Sequence, residues 1–211
     1  DLGSEQKQDI AERCLQYHVK VLHVPPMDKW INGELSFRQI RELRIEDLLQ
    51  RDTIRLDLEK IEQQLQGKTI LVTGAAGSIG SEIARQVVRF APKTLVLLDQ
   101  AETPLHNLEL EFKTIYDLED AALELQIVIG DIRNPSRMEQ LFAHFRPDYV
   151  YHAAAYKHVP MLENHPGEAI RTNLLGTKTL SDLAVKYHAR GFVFVSTDKA
   201  VNPTNIMGAS K

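Results

Sequence analysis

At 211 residues, with 43% hydrophobic and 26% charged side chains and a net charge of −4, the chain has the balance of a folded protein. That balance suggests neither disorder nor a polyanion-binding surface, and nucleic acid is not a favoured partner. There is room for one domain and part of a second. The single cysteine, Cys14, rules out an internal disulfide, fits a reducing compartment and is expected to be a buried core thiol. No apolar run approaches the ~20 residues that cross a bilayer. The longest, around 94–98 and 126–129, are strand-sized, so this stretch is expected to be soluble. The first residue is Asp1, and nothing there has the form of a signal peptide, so the sequence reads as a piece of something longer.

Residues from about Glu5 to Tyr17 have helical spacing, with Ile10, Cys14 and Tyr17 on one face, and "VKVLHVPP" reads as a short strand stopped by Pro25 and Pro26. A further apolar series from Ile40 to Leu49 leads through "RIEDLLQRD" into a charged helix ending at Gly67. Residues 1–50 are expected to be the tail of a preceding domain plus a connector, and residues 51–211 a nucleotide-binding domain. From Lys68 the pattern is regular. "KTILVTG", "KTLVLLDQ", "LELQIVIGD", "DYVYHAAA" and "GFVFVST" are buried strands, separated by amphipathic helices that include a long one from about Pro166 to His188. Nearly continuous apolar strands alternating with helices predict an α/β fold, a Rossmann-like doubly wound parallel sheet with right-handed crossovers in the order 3-2-1-4-5.

"TGAAGSIG" places Gly74, Gly77 and Gly80 between the first strand and its helix. Here Gly74 takes the tight turn, Gly77 lets backbone approach a pyrophosphate and Gly80 permits close helix packing, while the helix start at Ser78 and Ile79 offers free N–H groups. Asp99 ends the second strand and is either a solvated residue capping the next helix or, ~20 residues downstream of the glycines, the acid that meets ribose hydroxyls. That favours NAD over NADP, since a 2'-phosphate would be repelled and no Arg or Lys lies between Asp99 and Lys113 to neutralise it. "GDIRN" ends the third strand, where Asp131 and Ile132 flank the adenine or Asp131 serves only as a turn residue.

Ligands of open parallel sheets lie beyond the carboxyl ends of the strands. "HAAAYKHVP" and "STDKAVNP" should therefore face one crevice, with Ala153, Ala154 and Ala155 leaving room for the cofactor and Lys157 offering a cation to a phosphate or sugar oxygen, or standing as a plain surface residue. His152, His158 and His165 match neither a helical pair nor a zinc pattern, and no metal is expected.

"VTGAAGSIGSEIARQ", "DQAETPLHNLELEF", "AAAYKHVPMLE", "TNLLGT" and "STDKAVNPTNIMGASK", in this order, resemble the extended short-chain dehydrogenase/reductase superfamily. The likeness, over about residues 40–211, is to the bacterial nucleotide-sugar 4,6-dehydratases of capsule, O-antigen and glycan biosynthesis, in their long membrane-attached subgroup. It implies a UDP-N-acetylhexosamine substrate, most often UDP-N-acetylglucosamine, converted to a 4-keto-6-deoxy sugar with a tightly held NAD regenerated each turn. It also implies a homo-oligomer and, for the complete protein, attachment to the cytoplasmic face of the inner membrane. Carried over onto that reaction, Thr197 bonds the C4 oxygen, Asp198 protonates the departing C6 hydroxyl and Lys199 removes the C5 proton, while Asn173 and Lys157 stand on the substrate side. Such roles require a protonated Asp198 and a neutral Lys199, hence a shielded site; an exposed ion pair would do neither job well.

In the superfamily "YxxxK" supplies a proton-exchanging Tyr and a Lys that holds the nicotinamide ribose. Here "MGASK" gives Met207 at the Tyr-equivalent position and Lys211. A thioether transfers no proton, and the long dehydratases are similar in having Met at this place, which leaves Asp198, through water, as the candidate for the C4 proton. The residues from Pro203 should begin a helix, and the resemblance implies a further substrate lobe without which residues 1–211 would be inactive. Two other readings stand beside this one: a nucleotide-sugar 4-epimerase, which needs no Asp and Lys pair, and a non-catalytic dinucleotide-binding module.

Overall fold

The computed structural model describes residues 56–116 and 123–211, together with scattered positions between 10 and 42. The chain divides into two compact units, Asp1–Leu56 and Asp57–Lys211, so the division follows residue 56 rather than residue 50. In the first unit Leu22–His23 pairs antiparallel with Arg41–Glu42, giving the strand of "VKVLHVPP" a partner that its sequence did not suggest. Ile10, Arg13 and Cys14 are helical, as the spacing predicts. Cys14 is half-buried rather than a core thiol, because the apolar positions on its face, Ile10 and Tyr17, are themselves exposed. The rest of Ile40–Leu49 lies outside the described residues.

The second unit opens with α1, Leu58–Leu65, capped by the Asp57 carboxylate, which accepts from the Lys60 N–H. Five parallel strands follow: β1 Thr69–Thr73, β2 Thr94–Asp99, β3 Glu124–Ile129, β4 Tyr149–His152 and β5 Gly191–Phe194. Their order is β3-β2-β1-β4-β5, as predicted. The helices between them are α2 Ser78–Val88, α3 Glu102–Ile115 and α4 Pro135–Phe145, then α5 Val159–Asn164 and a long composite helix. That composite runs from α6, Pro166–Ala169, through a π-helical stretch, Ile170–Gly176, into α7, Thr177–Lys186.

Two-residue periodicity splits the strands between two cores. Ile70 and Val72 of β1, with Leu95 and Leu97 of β2, pack under α1, α2 and α3 against Leu65, Ala84, Leu105 and Phe112. Leu71, Val96, Leu98 and Val150 pack on the other face against Phe142 of α4 and Leu180 and Leu183 of α7. Burial on both faces is the reason the central strands read as unbroken apolar runs. Beyond β5 a 3-10 turn, Asp198–Ala200, precedes α8, Ile206–Ser210. The last helix starts at Ile206 rather than near Pro203, because the Asn205 side chain caps it by accepting from the Gly208 N–H.

Candidate functional site

The glycine-rich turn divides its work among three residues. Gly74 has φ +69°, and a Cβ there would lie 2.5 Å from the Ala154 nitrogen; only glycine combines that left-handed backbone with so close an approach to the end of β4. A Cβ on Gly80 would collide with the Gly74 carbonyl, so this glycine presses α2 against the turn. Gly77 differs: its nearest neighbour would be the Gly74 oxygen at 3.3 Å, and its remaining side is open. No side chain caps α2, and Ser78 and Ile79 at its start are exposed. An anion can therefore approach the start of α2, whose N–H groups no side chain among the described residues caps.

Asp99 is tied down by two backbone donors, the N–H groups of Ala76 in the turn and of Ala101 before α3, both at 2.9 Å. A carboxylate has about four lone-pair positions, so acceptor capacity remains for ribose hydroxyls. Asp131 accepts from the Arg133 backbone at 2.8 Å and ion-pairs with its guanidinium, which also reaches Glu168 at 2.7 Å. That guanidinium holds the Asp131 carboxyl below its usual range. Asp131 is a turn residue that also lines the crevice. Ile132 is buried beside it. The crevice has a volume of about 150 Å³ and is walled by Gly74 and Gly77, Asp99, Asp131 and Ile132, and the Ala153–Ala155 run. Three more of its residues, Gln100, Tyr156 and Thr172, escaped sequence reasoning.

At the end of β5 the picture changes. Thr197 donates to Asp198 at 2.9 Å, and Lys199 Nζ lies 3.5 Å from Asp198 Oδ1. The side chains of Asp198 and Lys199 are 87% and 51% exposed. The Thr197 hydroxyl first, and then the Lys199 charge, lower the Asp198 pKa. This is the exposed ion pair, not the shielded, proton-holding arrangement that the assigned roles require; nothing in the described residues covers it. Lys211 is better enclosed: Nζ donates to the Val195 carbonyl at 2.8 Å and sits 4.4 Å from the centre of the Phe194 ring, and burial lowers its pKa to about 8. Met207 is buried with Leu162 and Ala169, so the residue at the Tyr-equivalent position is a packing group.

The remaining expected site residues separate. Lys157 is exposed and lines a separate cavity with His158 and His165. Asn173, expected to meet substrate, is spent on the protein: its amide accepts from Tyr156 N–H and donates to the Tyr156 carbonyl and to Ser210 Oγ, at 2.9–3.0 Å. It is 2% exposed, and its amide ties the β4 loop to α8. His152 is wholly buried between the hydroxyls of Thr73 and Thr177, at 2.7 and 2.8 Å, and stacks on Phe194. Burial, and then the charge of Lys211, lower its pKa to about 4, so the ring is neutral, one nitrogen donating and the other accepting. Both nitrogens are thereby occupied by protein groups.

Residues 70–211 match the family model described as polysaccharide biosynthesis protein. The chain belongs to that family. Over its whole length it is 42% identical to the capsular polysaccharide biosynthesis protein CapD of Staphylococcus aureus and 39% identical to the probable polysaccharide biosynthesis protein EpsC of Bacillus subtilis. It spans 35% of the length of each. Over 69% of the chain and 41% of the relative it is 32% identical to a UDP-N-acetylglucosamine 4,6-dehydratase (inverting) of Campylobacter jejuni. A UDP-glucose 4-epimerase of Rickettsia canadensis is 35% identical over 68% of the chain and 40% of the relative. Among solved structures, Pen from Bacillus thuringiensis superposes with a TM-score of 0.63 at 33% identity, over 70% of this chain and 44% of that one. The NAD complex of UDP-glucose 4-epimerase from Thermus thermophilus does so with a TM-score of 0.57 at 26% identity, over 68% and 47%. The sheet order β3-β2-β1-β4-β5 with helices on both faces is a Rossmann-like fold, shared with these solved structures.

Proposed function

We propose that this chain carries the dinucleotide-binding part and a share of the catalytic side chains of an NAD-dependent nucleotide-sugar 4,6-dehydratase acting on a UDP-N-acetylhexosamine. The observation that carries the proposal is the placement of Thr197, Asp198 and Lys199 on one short turn at the carboxyl end of β5, with Lys211 bonded to Val195 just before them. An epimerisation at C4 has no use for an acid and base pair there. The residues of the crevice fit a dinucleotide: an open side at Gly77, an uncapped helix start and an Asp99 fixed by two amides. When bound, that group supplies a reversible hydride acceptor. Lys211, with its lowered pKa, would meet the nicotinamide ribose, and Asp99 would accept from the adenosine ribose.

On this reading the sugar itself completes the site. Asp198, bonded by Thr197 and beside Lys199, favours its ionised form. Covering Asp198 with a bound sugar and with more of a longer chain removes water from it, which raises the pKa of a carboxyl. Lys199 then takes the C5 proton and Asp198 protonates the leaving C6 hydroxyl. A homo-oligomer fits the half-exposed Ile170, Leu174 and Leu175 and the exposed Val185 on the helix after β4. Attachment of the complete protein to a membrane is part of the proposal. It draws on the 42% identity, over 72% of the chain, to an uncharacterized membrane protein of Methanocaldococcus jannaschii; no described helix is long and apolar enough to cross one.

The likeness to UDP-glucose 4-epimerases favours the second reading. Incubating the complete protein with NAD and UDP-N-acetylglucosamine in deuterated water separates the two. A dehydratase exchanges C5 and forms a 4-keto-6-deoxy product, whereas an epimerase yields the C4 epimer with C5 unexchanged. Dinucleotide binding with neither product would favour a non-catalytic module. Residues 1–211 by themselves are expected to show negligible turnover, and measurable 4-keto sugar from them would count against the proposed need for a further lobe.

A further inference from the structure

Hydroxyls on the described helices ordinarily find partners. Thr114 donates to the Leu110 carbonyl at 2.8 Å, the usual back-bond to the preceding turn, Ser181 donates to Lys178 and Thr177 pairs with His152. Thr172 does not. Its Oγ1 is the only buried side-chain nitrogen or oxygen among the described residues with no hydrogen-bond partner, in a residue 6% exposed. It lies in the π-helical stretch Ile170–Gly176, and it lines the same crevice as Gly77, Asp99 and Asp131. Buried hydroxyls without partners are rare and costly, and π-helical turns concentrate at functional sites.

The position of the stretch says which ligand half it meets. Gly176 packs so closely on Ile132 that a Cβ there would lie 2.8 Å from Ile132 Cδ1, which sets the π turn beside the β3 end of the crevice. The crevice is walled by the ends of β1 to β4, and Thr197, Lys199 and Lys211 take no part in it. Asn173, next in sequence, is consumed by Tyr156 and Ser210.

We propose that the Thr172 hydroxyl is a ligand-binding group of this crevice, forming a hydrogen bond to the adenosine half of a bound dinucleotide. The inference rests on reading the crevice as a dinucleotide site. A hydroxyl both donates and accepts, so it suits the mixed edge of a nucleobase or a ribose hydroxyl equally.

Thr172→Val keeps the shape and removes only the unpaired hydroxyl, so the two consequences run in opposite directions. Without ligand, its thermal midpoint should equal or exceed that of the parent chain. With NAD and with ADP-ribose, titrated by calorimetry, the dissociation constant should rise about three- to tenfold, as expected for one hydrogen bond, and Thr172→Ser should restore most of it. Thr172→Ala provides a second hydroxyl-free variant should the valine fail to fold. Unchanged affinity in the folded variants overturns the proposal, as does a loss seen with NAD but not with ADP-ribose. A lowered midpoint with unchanged affinity would make Thr172 structural and overturn it too. If the parent chain binds neither ligand, the dinucleotide reading itself falls. If it binds both, Gly77→Val binds neither, and Thr172→Val matches the parent, only the role of Thr172 is lost.

Discussion

The two ends of the crevice side of the sheet are built differently. Around β1 to β4 the carboxylates of the crevice are already held, Asp99 by Ala76 and Ala101 and Asp131 by Arg133. Beyond β5 Asp198 and Lys199 stand in solvent and, among the described residues, pair with each other and with Thr197. A binding site for a constant cofactor benefits from preorganisation. An acid and base pair that has to change protonation gains from staying open until substrate excludes water.

The largest effects should come from breaking the exposed end. In the complete protein, Lys199→Ala should stop C5 exchange and product formation, with losses of ~10²- to 10⁴-fold, the usual share of a general base. Asp198→Asn should spare exchange more than water loss; if both fall together, Asp198 also handles the C4 proton. Rates unchanged by either would remove the dehydratase assignment.

At the preorganised end, Gly77→Val should abolish detectable NAD binding while the protein still melts cooperatively, since only the ligand side of Gly77 is open. Gly80→Ala should instead lower the melting temperature, because its Cβ meets the protein's own Gly74 carbonyl. Were both to act only on stability, the separation of ligand-facing from packing glycines would be wrong.

His152 links the ends, and its titration has a definite sign. Its folded pKa of about 4 lies below the ordinary 6.5, so the unfolded chain binds the extra proton between those values. Stability should therefore fall on acidification from pH 6.5 toward 4, by an amount on the order of 3 kcal/mol. His152→Gln should flatten that part of the denaturation profile; a profile that keeps its slope would assign the loss to other groups.

Asp99 should make NAD bind at least roughly tenfold more tightly than NADP, about 1.4 kcal/mol, and equal affinities would show that a cation elsewhere neutralises the phosphate. The smallest effect on turnover is expected from Met207→Ala. It opens a cavity against Leu162 and Ala169 and should cost ~2 kcal/mol of stability or more while leaving C5 exchange far closer to normal than Lys199→Ala does. Equal damage to exchange in a folded, NAD-binding Met207→Ala protein would contradict the packing role.

Most of the architecture was legible because it depends on local pattern. Buried strands, amphipathic helices and the spacing of Gly74, Gly77, Gly80 and Asp99 are written in consecutive residues, and right-handed crossovers then leave the order 3-2-1-4-5. Partners distant in sequence decided the rest. Asn173 looked like a substrate contact until Tyr156 and Ser210 were seen to use its amide, and Cys14 looked like a core thiol until its helix face proved exposed. The π-helical stretch has no signature in "IRTNLLG"; in the fold its Gly176 packs on Ile132, and it carries the unpartnered Thr172 hydroxyl. Likewise the identities of Asp198 and Lys199 were fixed by sequence. Their exposure and charge depend on what lies over them, which is a property of the tertiary structure alone.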